Sequence, residues 1–214
     1  MKGLICKDCL ILRKTVISYL IVAVIYGAMT LAGCWPPGSF TAVIGILITL
    51  MPYSCFSYDL SSHWDTYALA LPLSRRKIVL SRYLVLLLLL LICLVFFLLC
   101  GALFSVTGAL ESPTEYLMIC AGTLGAGSLM NAILFPLIYR FGPERARVLL
   151  FAAIGLLFGL GYAAVQLGAL DALDALVLTN GAAWIALAAV LICSLAALAV
   201  SYWISAAIYS RKEG

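Results

Sequence analysis

Apolar residues in this chain do not follow the twofold or 3.6-fold rhythm of a half-buried strand or helix. They come in nearly unbroken runs of about twenty residues, separated by short polar stretches. Six such runs, at about 16–34, 39–57, 83–108, 116–138, 148–168 and 183–208, are each long enough to cross a hydrocarbon core of about 30 Å as a helix. The pattern predicts an all-α polytopic membrane protein with six transmembrane helices, forming a single domain over 1–214. Composition agrees, since 65% of residues are hydrophobic and 10% charged, where a soluble domain carries roughly 25% charged residues.

Charge then orients the spans. Lys2, Lys7, Arg13 and Lys14 precede the first run; Arg75, Arg76, Lys77 and Arg82 lie between the second and third. Arg140, Arg145 and Arg147 lie between the fourth and fifth, and Arg211 and Lys212 follow the last, so all 13 basic residues fall on one side. That side is predicted to be cytoplasmic, with both termini on it. Glu111, Glu115, Asp171 and Asp174 occupy the other side. A net charge of +4 placed at the membrane border points to anionic lipid headgroups and not to nucleic acid.

The polar stretches carry the candidate features. Residues 2–14 put Ile5, Cys9 and Leu12 on one side of a helical wheel and Lys7 and Lys14 on the other, with Asp8 between, which suits an interfacial elbow helix on the membrane surface. Trp35-Pro36-Pro37-Gly38 reads as a tight external turn. The longest polar stretch is 58–82. Pro72 breaks any helix there, and Ser74 is placed to cap a helix that starts at Arg75 and continues into the third run. Trp64 and Tyr67, on an otherwise polar segment, suggest a docking surface. Apolar residues three or four apart over 169–180, with Asp171 and Asp174 opposite, predict an external interfacial or re-entrant helix.

Within the runs, Gly155-x-x-x-Gly159 has the spacing that lets helices approach closely, and Gly122, Gly125 and Gly127 read the same way. Asn131 and Gln166 are expected to hydrogen-bond neighbouring helices. The eight cysteines mostly fall inside runs as small packing residues; Cys6-x-x-Cys9 lacks a second pair or a histidine to complete a metal site. Leu31-Ala32-Gly33-Cys34 mimics a lipoprotein cleavage box, but five further runs and a start at Met1 favour an uncleaved first helix.

The absences narrow the chemistry. No Gly-Lys dipeptide occurs, so no phosphate-binding loop is expected. His63 is the only histidine, so neither a His-based intramembrane protease nor a His-ligated metal centre is expected. All 22 charged residues fall outside the six runs, whereas ion-coupled transporters usually need ionisable groups in the membrane. Energy for any transport would then come from another subunit.

The opening Met1-Lys2-Gly3-Leu4 with Lys7-Asp8, and the stretch Asp59, Trp64-Asp65-x-Tyr67-Ala68-Leu69-x-Leu71-Pro72-Leu73-Ser74-Arg75-Arg76-Lys77-Ile78-Val79-Leu80-Ser81-Arg82-Tyr83, resemble the membrane subunits of type-2 ATP-binding-cassette (ABC) exporters. Within them the chain is similar to the small permeases without a large external domain, a group that includes those of the phenol-soluble modulin exporters of Gram-positive bacteria. The resemblance implies a plasma-membrane exporter permease for amphipathic or hydrophobic cargo, including toxin or antimicrobial peptides. It implies no enzyme site in this chain, ATP and Mg in a cytoplasmic ABC ATPase dimer, and a second permease copy, a homodimer in preference to a heterodimer. Asp59, Trp64, Asp65, Tyr67, Arg75, Arg76 and Lys77 would couple to the ATPase. The rival readings are a self-sufficient secondary transporter or channel, and a membrane assembly factor without cargo.

Overall fold

A computed structural model describes residues 2–62, 74–110, 112–166 and 180–211, and helix is the only regular secondary structure among them. The described helices are α1 Lys2–Leu31, α2 Pro37–Ser61, α3 Arg75–Val106, α4 Pro113–Phe141, α5 Pro143–Gln166 and α6 Asn180–Arg211. Five stretches are long and apolar enough to cross a membrane: Leu10–Leu31, Pro37–Ser61, Arg75–Val106, Pro113–Phe141 and Leu187–Ser210. The chain is a multi-pass membrane protein. The remaining helix, α5, is 24 residues long and is not among those five.

The turns form where glycine and proline leave the helix no way to continue. At the end of α1, Gly33 takes φ +75° and the amides of Gly33 and Cys34 donate to the carbonyls of Thr30 and Met29. At the end of α3, Gly108 takes φ +72°, and Gly108 and Ala109 donate to Ser105 and Phe104. Both are Schellman closures, which need a residue free to adopt left-handed φ. Pro37 and Pro113 then open the next helices, where a missing N–H costs nothing.

The elbow expected over 2–14 is not a separate element here: α1 runs unbroken from Lys2 to Leu31. No proline or glycine interrupts Leu4 to Tyr26, and Leu4, Asp8 and Leu12, four apart, are all buried. One face of a continuous helix therefore packs inward. Helix α3 begins at Arg75 as expected, with the Ser74 carbonyl accepting from Lys77 at 2.8 Å; the Ser74 side chain makes no cap bond. The external helix expected over 169–180 falls outside the described residues apart from Asn180.

Helix α4 is the hub, touching α2, α3, α5 and α6, with its most extensive contact on α6. Against α2 the fit is reciprocal. A Cβ added at Gly45 of α2 would collide with Thr123 of α4, and one at Gly127 of α4 would collide with Thr49 of α2. Asn131, fully buried, sits beside this contact and donates to the Thr49 carbonyl at 3.1 Å and the Gly127 carbonyl at 2.9 Å. That interhelical bond is the one expected of it. Among the described residues, Gly122 has no neighbour within 4 Å of an added Cβ.

Two aromatic clusters fill the ends of the bundle. Near the start of α3, Phe135 stacks edge-on with Phe56 at 5.3 Å and Tyr83 at 4.9 Å. Near its end, Phe40 meets Phe104 at 5.4 Å, and Phe97 and Tyr116 complete the cluster. On α3 most positions from Ile78 to Leu86 are buried, and beyond Leu86 the buried positions recur every three or four residues, while Leu87, Leu91 and Leu98 point outward. Such an apolar exterior matches a hydrocarbon solvent.

Candidate functional site

Four charged side chains from three helices meet at the end of the bundle where α3 begins. At 30 and 32 residues, α1 and α3 are about 45 and 48 Å long. They overreach the hydrocarbon core, and their first turns can carry charge. Helix α1 supplies Lys7 and Asp8, just before its apolar stretch at Leu10; α2 supplies Asp59 near its last turn, and α3 supplies Arg82 eight residues into the helix.

The guanidinium of Arg82 works as a fork. One nitrogen lies 2.7 Å from Asp8 Oδ1, and the other hydrogen-bonds Asp59 Oδ2. Lys7 Nζ donates to Asp59 Oδ1 at 2.6 Å and stands 3.6 Å from Asp8 Oδ1. The Phe56 ring lies 5.2 Å from the guanidinium carbon, adding a cation–π contact. These charges are inside the fold: the side chains of Arg82 and Asp8 are 7% and 2% exposed.

Burial sets the electrostatics. Lys7 is pulled down to about 8 from its usual 10.5, first by desolvation and then by Arg82, with Asp8 pulling the other way. Asp8 is pushed up by desolvation, against the pull of Arg82 and Lys7. Two acids and two bases cancel, so the cluster offers no net charge to an outside ion. Removing one member would strand a buried charge, which typically costs about 3–5 kcal/mol.

The expected coupling residues separate in space. Asp59 faces inward and is spent on Arg82 and Lys7. Arg75 Nη1 donates to the carbonyls of Tyr209 and Ser210 at 3.5 and 3.4 Å, covering acceptors at the end of α6 that its own helix cannot satisfy. Arg76 and Lys77 are exposed. Trp64, Asp65 and Tyr67 lie outside the described residues. An added Cβ at Gly155 or Gly159 meets nothing within 4 Å among the described residues. Sequence reasoning missed the joint role of Lys7, Asp8 and Arg82; the available signal was Asp8 in register with Leu4 and Leu12.

A second polar group ties the membrane interior together. Pro136 lies within α4 and has no N–H to give the carbonyl of Ala132, four residues back. Ser201 of α6 donates to that carbonyl at 2.6 Å. Its proton thus used, Ser201 accepts from the Tyr83 hydroxyl at 2.6 Å, and Ser205 donates to Tyr83 at 2.9 Å. At the opposite end of the bundle a pocket of about 870 Å³ opens between the two Schellman turns, lined by Trp35, Thr107, Glu115 and Tyr116 among others. Glu115 there accepts from Ser112 Oγ at 2.7 Å, a helix-start contact. Among the described residues no group of acids, cysteines or histidines is arranged to hold a metal ion.

Compared with known families, residues 3–210 match the family model described as ABC-2 family transporter protein. Comparisons with curated proteins and with solved structures each gave no match.

Proposed function

We propose that this chain, which belongs to the ABC-2 family of transporter proteins, is the permease of an exporter for amphipathic or hydrophobic cargo, driven by a separate ABC ATPase. The family match over nearly the whole chain carries this reading. Membership of that family implies an ATPase partner; ATP and Mg would bind there. The one-sided distribution of basic residues supports six spans with both termini cytoplasmic, α5 being the sixth. On that orientation, residues 63–73 and the first turn of α3 face the cytoplasm.

Trp64 and Tyr67 would fill a cleft of the ATPase, with Asp65, Arg76 and Lys77 orienting the contact. Asp59 and Arg75 would act from behind it, through the contacts described above. A second copy of the chain would complete the pathway, and Gly155 and Gly159 would allow close helix approach there. Cargo with large apolar surface, such as an amphipathic peptide exported from a Gram-positive cell, fits a bundle whose described interior holds hydroxyls, the Asn131 amide and aromatic rings.

Co-expression with a candidate ABC ATPase, purification in detergent and an ATPase assay test this. A stable complex whose ATP hydrolysis becomes uncoupled in Trp64→Ala and Arg76→Ala/Lys77→Ala supports it. Substrate movement in liposomes by the chain alone, with no ATPase bound, would sink it in favour of a self-sufficient transporter. ATPase association without ATP-dependent flux would favour an assembly factor.

A further inference from the structure

The four-charge cluster sits at a mechanically telling place. Asp59 and Arg82 flank residues 63–73 on either side, at the end of α2 and the start of α3. Lys7 and Asp8 belong to a helix whose described contacts are with α2 and α3. Beyond Leu12, the buried residues of α1 are Ala23 and Thr30 alone among those described. At this end, then, α1 is held by Leu4, Leu12 and the charges.

We propose that Lys7, Asp8, Asp59 and Arg82 form a latch that makes the first turns of α1 move with the two helix ends flanking residues 63–73, so that displacement of that segment is carried into the membrane. The proposal rests on the reading of that segment as the ATPase contact. Apolar side chains of equal volume would hold three helices together as well or better, because they carry no desolvation cost. What charges add is direction. Arg82 hydrogen-bonds Asp59 through one guanidinium nitrogen and sets the other in ion-pair contact with Asp8 on a different helix, and a planar guanidinium held at both ends restricts the relative position of its partners. A lysine in its place offers three donors that rotate about a single nitrogen on a flexible stem, so it can neutralise the carboxylates without fixing one relative position of the two helices. The cluster is also neutral overall, which argues against a ligand site for an ion and leaves helix positioning as its work.

Hydrogen exchange on the full chain in lipid nanodiscs tests the latch without any partner. Exchange of the amides of residues 4–12 is expected to quicken by roughly tenfold or more in Arg82→Gln and by roughly threefold or more in Arg82→Lys, with Arg76→Gln unchanged. Rates in Arg82→Gln within about twofold of the unaltered chain overturn the latch. The same measurement on the complex with a co-expressed ATPase, with and without ATP, Mg and vanadate, tests transmission. Nucleotide is expected to change exchange at residues 4–12 in the unaltered complex, and Arg82→Lys is expected to abolish that change while the ATPase stays bound. A bound ATPase with no nucleotide effect at residues 4–12 overturns transmission alone. Failure of any ATPase to bind the unaltered chain overturns the functional reading, and transmission with it, whatever the exchange of the isolated chain.

Discussion

Ser201 of α6 donates its hydroxyl proton to the carbonyl of Ala132 on α4, 2.6 Å away, and that carbonyl has no helical donor because residue 136 is proline. A sequence feature of one helix is thus satisfied by a side chain of another. Ser201→Ala should leave the Ala132 carbonyl unpaired and take the acceptor away from Tyr83, lowering stability by about 1–2 kcal/mol. Pro136→Ala restores an N–H to residue 136, so the double variant should recover part of that loss. Thermal unfolding of the detergent-purified chain checks both; equal melting of Ser201→Ala with and without Pro136→Ala would show that the proline is not the cause.

The reciprocal glycine contact between α2 and α4 predicts a specific rescue. Gly45→Ala should cost about 1–3 kcal/mol through collision with the Thr123 methyl. Thr123→Ser removes that methyl but keeps a hydroxyl able to donate to the Ile119 carbonyl, so the pair should melt close to the unaltered chain. Gly122→Ala, whose added Cβ meets nothing within 4 Å among the described residues, should be neutral or gain up to about 1 kcal/mol from helix propensity. A Gly45→Ala variant as stable as Gly122→Ala would contradict this packing.

Lys7 gives the charge cluster a pH signature. Its folded-state value of about 8 lies below its usual 10.5, so between those values the unfolded chain holds more protons than the folded one. Stability contributed by this group therefore rises as pH climbs from about 8 to about 10.5, and its burial penalty is in full force below about 8. Asp8, Asp59 and Arg82 face it directly, with Cys55 nearby. Lys7→Gln should flatten the increase in melting temperature across that window, compared with the unaltered chain. An unchanged slope would assign the effect to another group.

Arg75 and its neighbours should part company under substitution. Arg75→Ala exposes the last carbonyls of α6 and should lower stability by about 0.5–1 kcal/mol, with faster exchange at the end of α6. Arg76→Ala/Lys77→Ala should leave melting unchanged and weaken ATPase association instead. Melting curves and co-purification, run on the same preparations, separate the two roles; a destabilised Arg76→Ala/Lys77→Ala would undo the distinction.

Long apolar runs, one-sided basic residues and the glycine and proline turns are local properties, because a helix that must satisfy its own backbone in lipid is decided by its own residues. Sequence alone therefore determined the all-helical class, the approximate places of five spans, the break at Pro36-Pro37 between the first two helices, the start of α3 at Arg75 and the interhelical role of Asn131. It could not determine which charges are buried. Asp8 appears to a helical wheel as a defect in a surface helix, and Asp59 as an exposed docking charge. Only the packing of α1 against α2 and α3 turned both onto Arg82 and joined the elbow region to α1. A buried ion pair becomes tolerable only when partners distant in sequence converge, here across 52 residues for Lys7 with Asp59 and 23 for Arg82 with Asp59, and that convergence belongs to the tertiary structure.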